Sequence, residues 1–279
     1  MGCAGKRPDT DDIVIAFAHD GMYKKIVIKI GTGVISKKDG KLNPRVLKIL
    51  VEQCAQLRKQ GVEAVIVTSG AVGTGRGLIT IEDGADSVVK KQVYAAVGQV
   101  KLMSTYAKYF AKHGIFCAQI LATKEDFRDK EHYLNMKNCM ENLLRDNVIP
   151  VVNENDAVAV AELVFTDNDE LAGLIATQLN VDAVILLTSV DGVFNGNPKD
   201  KGARVISEIP HADISSFEKY VMPDKSEFGR GGMLTKFGVA RKLAEQGIAT
   251  HIANGLRPGV LLEILAGKAV GTKFIPLGK

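Results

Sequence analysis

The chain has 279 residues, of which 46% are hydrophobic and 24% are charged, a composition typical of a soluble globular protein with a full core. Its formal net charge is only +4 and its basic residues are scattered along the chain, which argues against a nucleic-acid-binding protein. Every apolar run falls well short of the roughly 18 residues that a membrane span needs, so the sequence also argues against a membrane protein.

Residues 1–24 stand apart from the rest of the chain and are interpreted as an N-terminal extension that is expected to fray. The extension begins Met1-Gly2-Cys3, as an acylation signal does, but Lys6 occupies the position where Ser or Thr is needed, so acylation is disfavoured. Two further interpretations stay open. Ile13–Ala18 is apolar enough to form an extra edge strand, and Met22 is an alternative start.

Beyond residue 24, strand-like and helix-like segments alternate, a pattern that predicts a parallel sheet with helices on both faces. The predicted fold class is therefore α/β, a three-layer αβα sandwich with a mostly parallel central sheet, in one domain of residues 25–279. Gly73, Gly75 and Gly77 predict a flexible loop after the second strand. In chain order, the predicted strands are 26–30, 64–68, 115–121, 148–152, 183–188 and 248–252, and the predicted helices are 44–60, 86–113, 130–146, 168–180, 233–246 and a short one after 258.

Cysteine and histidine spacings argue against a disulfide framework and against a metal site built from side chains. The four cysteines are far apart without a CxxC pair, and the five histidines show no HExxH pattern. The thiols are expected to be reduced, as in a cytoplasmic protein, and any metal ion is expected to arrive with a substrate.

Polar or glycine-rich residues follow four of the predicted strands, namely 29–33, 68–70, 153–156 and 188–189. Any one of them alone is an ordinary turn. Because the carboxyl ends of parallel strands lie at one edge of a sheet, the four are expected to converge on a ligand crevice. Lys29 supports this, since an ammonium group in a buried strand is costly unless it is paired. The alternative is that the methylene chain of Lys29 packs against apolar residues while its ammonium group reaches water.

A second anion site is predicted where Gly231-Gly232 precedes the helix that carries Lys236. Free N–H groups at a helix start attract anions, and Lys236, one turn into the helix, is placed to reach a phosphate. A flexible loop before a surface helix is the alternative. The usual phosphate motifs are missing, because Gly31–Ser36 lacks the third glycine of GxGxxG and shows no clear helix start, and because GxxxxGK[ST] does not occur.

These segments together resemble the amino acid kinase family, and within it the glutamate 5-kinases most closely, from about Lys25 to Lys279. The segments at 153–158 and 167–169 separate this chain from acetylglutamate, aspartate, carbamate and uridylate kinases. The resemblance rests on Val27-Ile28-Lys29-Ile30-Gly31-Thr32, Val67-Thr68-Ser69-Gly70-Ala71, Ala95-Ala96-Val97-Gly98-Gln99, Pro150-Val151-Val152-Asn153-Glu154-Asn155-Asp156-Ala157-Val158, Thr166-Asp167-Asn168-Asp169 and Gly231-Gly232-Met233-Leu234-Thr235-Lys236.

The resemblance implies a carbamate kinase-like fold and a reaction in which ATP, carrying Mg²⁺, phosphorylates the side-chain carboxylate of L-glutamate, the first step of proline biosynthesis. The N-terminal part of the domain would mainly bind glutamate and the C-terminal part mainly ATP. The implied catalytic residues are Lys29, Lys236 and Asp169, with Asp169 holding both ammonium groups. The implied nucleotide-binding residues are Lys29, Gly31, Thr32, Gly33, Thr188, Ser189, Arg230, Gly231, Gly232, Met233, Leu234, Thr235 and Lys236, and the implied glutamate-binding residues are Ser69, Gly70, Asn153, Asp156 and Asn168.

Among these, Asp156 would pair with the α-ammonium group, whereas Ser69 and Asn168 would hydrogen-bond carboxylate oxygens. The resemblance also implies a homo-oligomer, a dimer or tetramer, and feedback inhibition by proline. Two departures stand out. Many relatives have Thr-Asp where this chain has Thr188-Ser189, and bacterial relatives often carry a C-terminal PUA domain for which this sequence has no room. A kinase for acetylglutamate or aspartate and a non-catalytic amino acid sensor remain as alternatives.

Overall fold

An eight-stranded sheet organises the computed structural model, which describes residues 23–82, 84, 86–158, 165, 167–221 and 232–278. The strands are β1 (Lys25–Ile30), β2 (Glu63–Thr68), β3 (Cys117–Ala122), β4 (Ile149–Glu154), β5 (Ala183–Thr188), β6 (Glu208–Pro210), β7 (Ala249–Asn254) and β8 (Thr272–Ile275). The helices are α1 (Thr32–Ile35), α2 (Pro44–Lys59), α3 (Ala71–Arg76), α4 (Ser87–Ala111), α5 (Lys130–Arg145), α6 (Asn168–Leu179), α7 (Ile214–Phe217), α8 (Met233–Glu245) and α9 (Val260–Leu265).

The strands run in the order β3-β4-β2-β1-β5-β7-β8-β6, and every neighbouring pair is parallel except β7–β8. This confirms the predicted α/β class with a mostly parallel sheet. The short strands β6 and β8 were not predicted. All six predicted strands are present, although β3 begins two residues later than expected and β4 continues to Glu154.

Two separate hydrophobic cores lie on the two faces of the sheet, and β1 contributes to both. Ile26, Ile28 and Ile30 pack into one core with residues of α2, α4 and α9, whereas Val27 packs into the other with residues of α5, α6 and α8. Successive side chains in a strand point to opposite faces. Lys29 therefore shares the face of Val27, against which α6 and α8 pack.

The chain enters the fold at Tyr23 and Lys24, the last two residues of the predicted extension. The Tyr23 hydroxyl is 2.9 Å from the His251 ring nitrogen Nε2, and the Lys24 carbonyl accepts a hydrogen bond from the Glu63 N–H. Residues 1–22 lie outside the described residues, and with them the expectations about acylation, an extra strand and an alternative start. Among the described residues, no helix is both long and apolar enough to cross a membrane.

Gly73 and Gly75 do not lie in the predicted loop, because residues 71–76 form helix α3, and Gly77 is the C-cap of this helix. Gly75 is required there by a close crossing between α3 and α4. A Cβ atom on Gly75 would lie 1.9 Å from the Tyr94 carbonyl oxygen, and one on Gly98 would lie 1.9 Å from the Ala71 carbonyl oxygen. These glycines thus allow two helix backbones to touch, a use of glycine that local sequence does not reveal.

A second correction concerns Gly31–Ser36, where the sequence showed no clear helix start. The single-turn helix α1 begins at Thr32, with Gly31 in an extended conformation at its N-cap. Its apolar residues Val34 and Ile35 are buried, so packing stabilises a turn that local propensity does not specify.

Replacing Gly98 by Ala is expected to destabilise the protein by about 3 kcal/mol or more, because the added methyl group would overlap backbone atoms of α3. Chemical denaturation monitored by circular dichroism measures the loss. Gly238→Ala is the matched control, since Gly238 also lies inside a helix but has nothing within 4 Å of its Cβ position. That variant should gain up to about 1 kcal/mol. Equal stability of the two variants would contradict the close crossing.

Candidate active site

The four strand ends singled out in the sequence lie side by side, because β4, β2, β1 and β5 are consecutive in the sheet and mutually parallel. The predicted convergence at one edge is confirmed. The N-termini of α6 and α8 bring further polar residues to Lys29 at this edge.

Lys29 lies near the carboxyl end of β1, is only 4% exposed, and places its Nζ 2.5 Å from Asp169 Oδ1. The alternative in which its head reaches water is therefore wrong. Burial is the largest influence on Lys29 and lowers its pKa below the usual lysine value, while the Asp169 carboxylate acts in the opposite direction. This ammonium group is desolvated and held by a single carboxylate.

Asp169 also binds Lys236, whose Nζ lies 2.7 Å from Asp169 Oδ2. The side chain of Asp169 is completely buried, and Asp169 is the second residue of α6, where the helix dipole favours an anion. Asp167 caps this helix by accepting the N–H groups of Asp169 and Glu170. Burial alone would raise the pKa of Asp169, but the two ammonium groups outweigh burial and hold this pKa below its usual value.

The predicted cluster of Lys29, Asp169 and Lys236 is thus present, with each lysine on its own oxygen of the shared carboxylate. The formal charges of these three groups sum to +1. Because they lie at the edge where the strands end, the arrangement suits an anion such as a phosphoryl group. Lys236 lies in the first turn of α8, and helical side chains lean toward the N-terminus, which directs it to this edge.

The glycines after β1 keep space open beside the lysines. A Cβ atom on Gly31 would lie 3.7 Å from Lys29 Nζ and 3.2 Å from the Leu187 carbonyl oxygen, so a larger residue would crowd the ammonium group. A Cβ atom on Gly33 would lie 3.4 Å from Ser189 Oγ, which places Thr32–Gly33 against the end of β5. The predicted nucleotide residues on β1 and β5, including Thr188, are therefore neighbours.

The remaining predicted nucleotide residues belong to the start of α8. Gly232 is its N-cap and accepts a hydrogen bond from Thr235 Oγ1 at 2.8 Å, and Met233, Leu234 and Thr235 complete the first turn before Lys236. Arg230 and Gly231 lie outside the described residues. This turn leaves backbone N–H groups at the helix start, as an anion site requires.

The other side of the cluster is a network of amide side chains. Asn168 Nδ2 lies within hydrogen-bond distance of the Thr68 carbonyl oxygen (2.6 Å), of Ser69 Oγ (3.0 Å) and of Asn153 Oδ1 (3.0 Å). These three acceptors already share the two amide hydrogens of Asn168, so the hydrogen bond predicted from Asn168 to a substrate carboxylate would have to replace one of these contacts. A hydroxyl group that accepts a hydrogen bond can still donate its own hydrogen, so Ser69 can donate to a carboxylate. Gly70 follows with a φ of 98°, a conformation that favours glycine.

Sequence reasoning missed one member of this network, Gln99 of α4. Its Oε1 accepts a hydrogen bond from Asn153 Nδ2 at 2.9 Å, while Asn153 Oδ1 accepts the Glu154 backbone N–H. These two contacts fix which way the Asn153 amide faces, and through it the orientation of Asn168. The motif that contains Gln99 was recognised as part of the resemblance, but only the contact across elements shows what Gln99 does.

Asp156, predicted to bind the substrate ammonium group, forms an ion pair with Lys91 of α4, with 2.7 Å between Oδ1 and Nζ. The Asp156 side chain is 12% exposed and that of Lys91 is 39% exposed.

Glu154 Oε1 accepts the backbone N–H of Phe165 at 2.8 Å and so fastens the end of β4 to the chain just ahead of α6. Burial raises the pKa of Glu154, although this hydrogen bond opposes the shift.

Comparisons with known proteins agree with this geometry. The profile of the amino acid kinase family matches residues 24–254. The chain belongs to the amino acid kinase family. It is 52% identical to a protein of Chlorobaculum tepidum named glutamate 5-kinase, over 91% of this chain and 70% of that protein. It is 47% identical to a glutamate 5-kinase of Bacteroides thetaiotaomicron, over 91% of this chain and 71% of that protein.

Solved structures of lower identity support the same fold for this amino acid kinase. Carbamate kinase from Giardia lamblia bound to AMP-PNP has a TM-score of 0.65 at 19% identity and covers 91% of this chain and 98% of its own. UMP kinase from Bacillus anthracis has a TM-score of 0.62 at 17% identity and covers 92% of this chain and 97% of its own. The predicted carbamate kinase-like fold is thereby confirmed.

Proposed function

We propose that this chain transfers the γ-phosphoryl group of ATP to the side-chain carboxylate of L-glutamate and forms L-glutamyl 5-phosphate, the first step of proline biosynthesis. The observation that carries the proposal is the pair of buried lysines sharing Asp169, beside a polar network at the ends of β2 and β4. High identity to proteins named glutamate 5-kinase supports glutamate as the acceptor.

The chemistry follows from the charges of the reactants. A carboxylate is ionised at neutral pH, so the reaction needs no general base. The barrier arises from bringing two anions together, since two unit charges 4 Å apart repel by about 4 kcal/mol at an effective dielectric constant near 20. The protein must therefore supply positive charge and positioning.

In the proposed step, a γ-carboxylate oxygen attacks the γ-phosphorus, the bond to the bridging β,γ-oxygen breaks, and ADP leaves with that electron pair. Lys29 donates to the oxygens of the transferring group, and Lys236 donates from the nucleotide side as charge moves to the leaving oxygen. Asp169 fixes the separation of the two ammonium groups, so no reorganisation is needed during transfer.

Mg²⁺ is part of the proposal as a companion of ATP, where it would neutralise the β- and γ-phosphate oxygens. Among the described residues, no group of three or more His, Cys, Asp or Glu side chains could hold a metal ion. Mg²⁺ in phosphoryl-transfer sites usually keeps several waters and is bound by the substrate phosphates with one or two carboxylates.

In this proposal, the two substrates bind at the ends of different strands of the sheet. Glutamate would bind to residues after β2 and β4 and at the start of α6, and ATP would bind to residues after β1 and β5 and at the start of α8. Lys29 and Asp169 lie where the two regions meet. A homo-oligomeric state, inhibition by proline and a cytoplasmic location remain predictions.

The test is hydroxamate formation with MgATP, hydroxylamine and one of three acids, glutamate, N-acetylglutamate or aspartate. Product from glutamate alone is the expected result. Product from either other acid would reassign the acceptor within the same chemistry. No product from any of the three, with glutamate still bound in calorimetry, would favour the amino acid sensor and overturn the proposed function.

A further inference from the structure

Lys91 reaches across from α4 to the loop after β4, where its ammonium group binds Asp156. Exposed ion pairs between neighbouring helix residues are common and contribute little, as for Lys48 and Glu52 on α2. The pair of Lys91 with Asp156 differs in two ways. It joins two elements that are distant in the sequence, and the Asp156 side chain is only 12% exposed. Asp156 follows Asn153, a member of the amide network, by three residues in the sequence.

The proposed role of Asp156 creates an electrostatic conflict at this position. If the α-ammonium group of the substrate binds Asp156, it arrives next to the ammonium group of Lys91, and two like charges then share one carboxylate. The conflict disappears if the ligand also brings a negative charge for Lys91. An α-amino acid does so, because its α-carboxylate and α-ammonium groups are attached to the same carbon atom.

We propose that Lys91 binds the α-carboxylate of the substrate, so that Lys91 and Asp156 together form a receptor for the zwitterionic head of an α-amino acid. This inference rests on the proposed function and adds a specificity-determining residue to it. An ammonium group has three N–H donors, so Lys91 can donate to a substrate oxygen while it keeps its ion pair with Asp156. Its side chain is 39% exposed, which leaves it accessible to a ligand.

The arrangement selects for substrates that carry both charged groups. An acid without the α-ammonium group, such as glutarate or N-acetylglutamate, leaves Asp156 without its second cation. An amine without the α-carboxylate, such as 4-aminobutanoate, places its cation beside Lys91 with no compensating anion. Only the α-amino acid satisfies both charges of the pair.

The experiment pairs a change in the protein with a change in the ligand. Lys91→Met removes the charge and shortens the side chain by only one atom, and 4-aminobutanoate is glutamate without its α-carboxylate. In wild-type protein, kcat/KM for glutamate should exceed that for 4-aminobutanoate. In Lys91→Met, kcat/KM for glutamate should fall roughly 10- to 100-fold, the usual effect of losing a charged hydrogen bond, whereas that for 4-aminobutanoate should stay the same or rise, because its cation no longer lies beside a second ammonium group.

Lys91→Arg should retain most of the preference for glutamate, and Lys48→Met, which removes an exposed lysine of α2, should leave both values unchanged. Calorimetric binding of the two ligands gives a readout that does not depend on turnover. Equal losses for both ligands, or no loss for either, would overturn the role of Lys91. Wild-type protein without turnover, but with glutamate binding that depends on Lys91, would overturn the proposed function and still support the Lys91 assignment.

Discussion

Asp169→Asn is expected to lower kcat by at least about 10³-fold, because both lysines of the phosphoryl site depend on this one carboxylate for their position. The substitution preserves side-chain volume but leaves two buried ammonium groups close together without an anion between them. Breaking a buried ion pair in this way typically costs about 3–5 kcal/mol of folding stability. Hydroxamate assays measure the first effect, and urea denaturation measures the second.

The acid limb of the stability curve gives an independent check on Asp169. The pKa of this carboxyl group is lower in the folded protein than in the unfolded chain, so its contribution to stability is present above the unfolded-state pKa of about 3.9 and is lost as pH falls through the folded-state value. The difference in unfolding free energy between wild type and Asp169→Asn should therefore shrink as the pH falls below about 4.

Asp182→Asn serves as the control, because Asp182 is an exposed carboxylate that accepts the backbone N–H groups of Lys24 and Lys25 and binds no lysine side chain in the cluster. An asparagine oxygen can still accept these bonds. This variant should keep wild-type kcat. A small effect of Asp169→Asn, no larger than that of the control, would show that the lysines are placed without the shared carboxylate.

Lys236→Ala is expected to reduce kcat by roughly 10²- to 10⁴-fold while leaving glutamate affinity nearly unchanged. Lys236 enters the site from α8, whereas the polar network assigned to glutamate comes from β2, β4, α4 and α6. The variant should fold, because Asp169 keeps Lys29 as a partner. Steady-state kinetics with each substrate varied in turn separates the effects on kcat and on the two KM values.

Lys242→Ala, on the last turn of the same helix, removes an exposed lysine and should behave as wild type. Unchanged kcat in Lys236→Ala would remove this residue from the mechanism. A large rise in KM for glutamate at constant kcat would instead move Lys236 to the acceptor side of the site.

The sheet was predictable from the sequence because its signals are local. Short β-branched runs define β1, β2 and β5, and a capping Asn43 followed by a proline marks the start of α2. The edge at which the predicted site residues gather followed from parallel topology alone. The meeting of Lys29, Asp169 and Lys236 did not, since no periodicity relates residues so far apart, and this expectation came from the family resemblance.

What the sequence could not give was set by contacts between distant elements. Gly75 of α3 indicates a loop until α4 is placed against it, and only then does its lack of a side chain become a packing requirement. The hydrogen bond from Asn153 to Gln99 and the ion pair of Lys91 with Asp156 likewise join α4 to the end of β4. Local patterns carry no information about such pairs.

Asn168 and Asp169 are consecutive residues, yet one belongs to the amide network and the other binds both lysines. Their Cα atoms are joined by a single trans peptide unit of about 3.8 Å, which cannot stretch or compress appreciably. In the proposed function, the distance between the glutamate-binding network and the phosphoryl-binding lysines is thus limited by covalent geometry. Any substitution that tilts α6, even at a fully buried residue such as Ile175, should weaken the binding of both substrates at once.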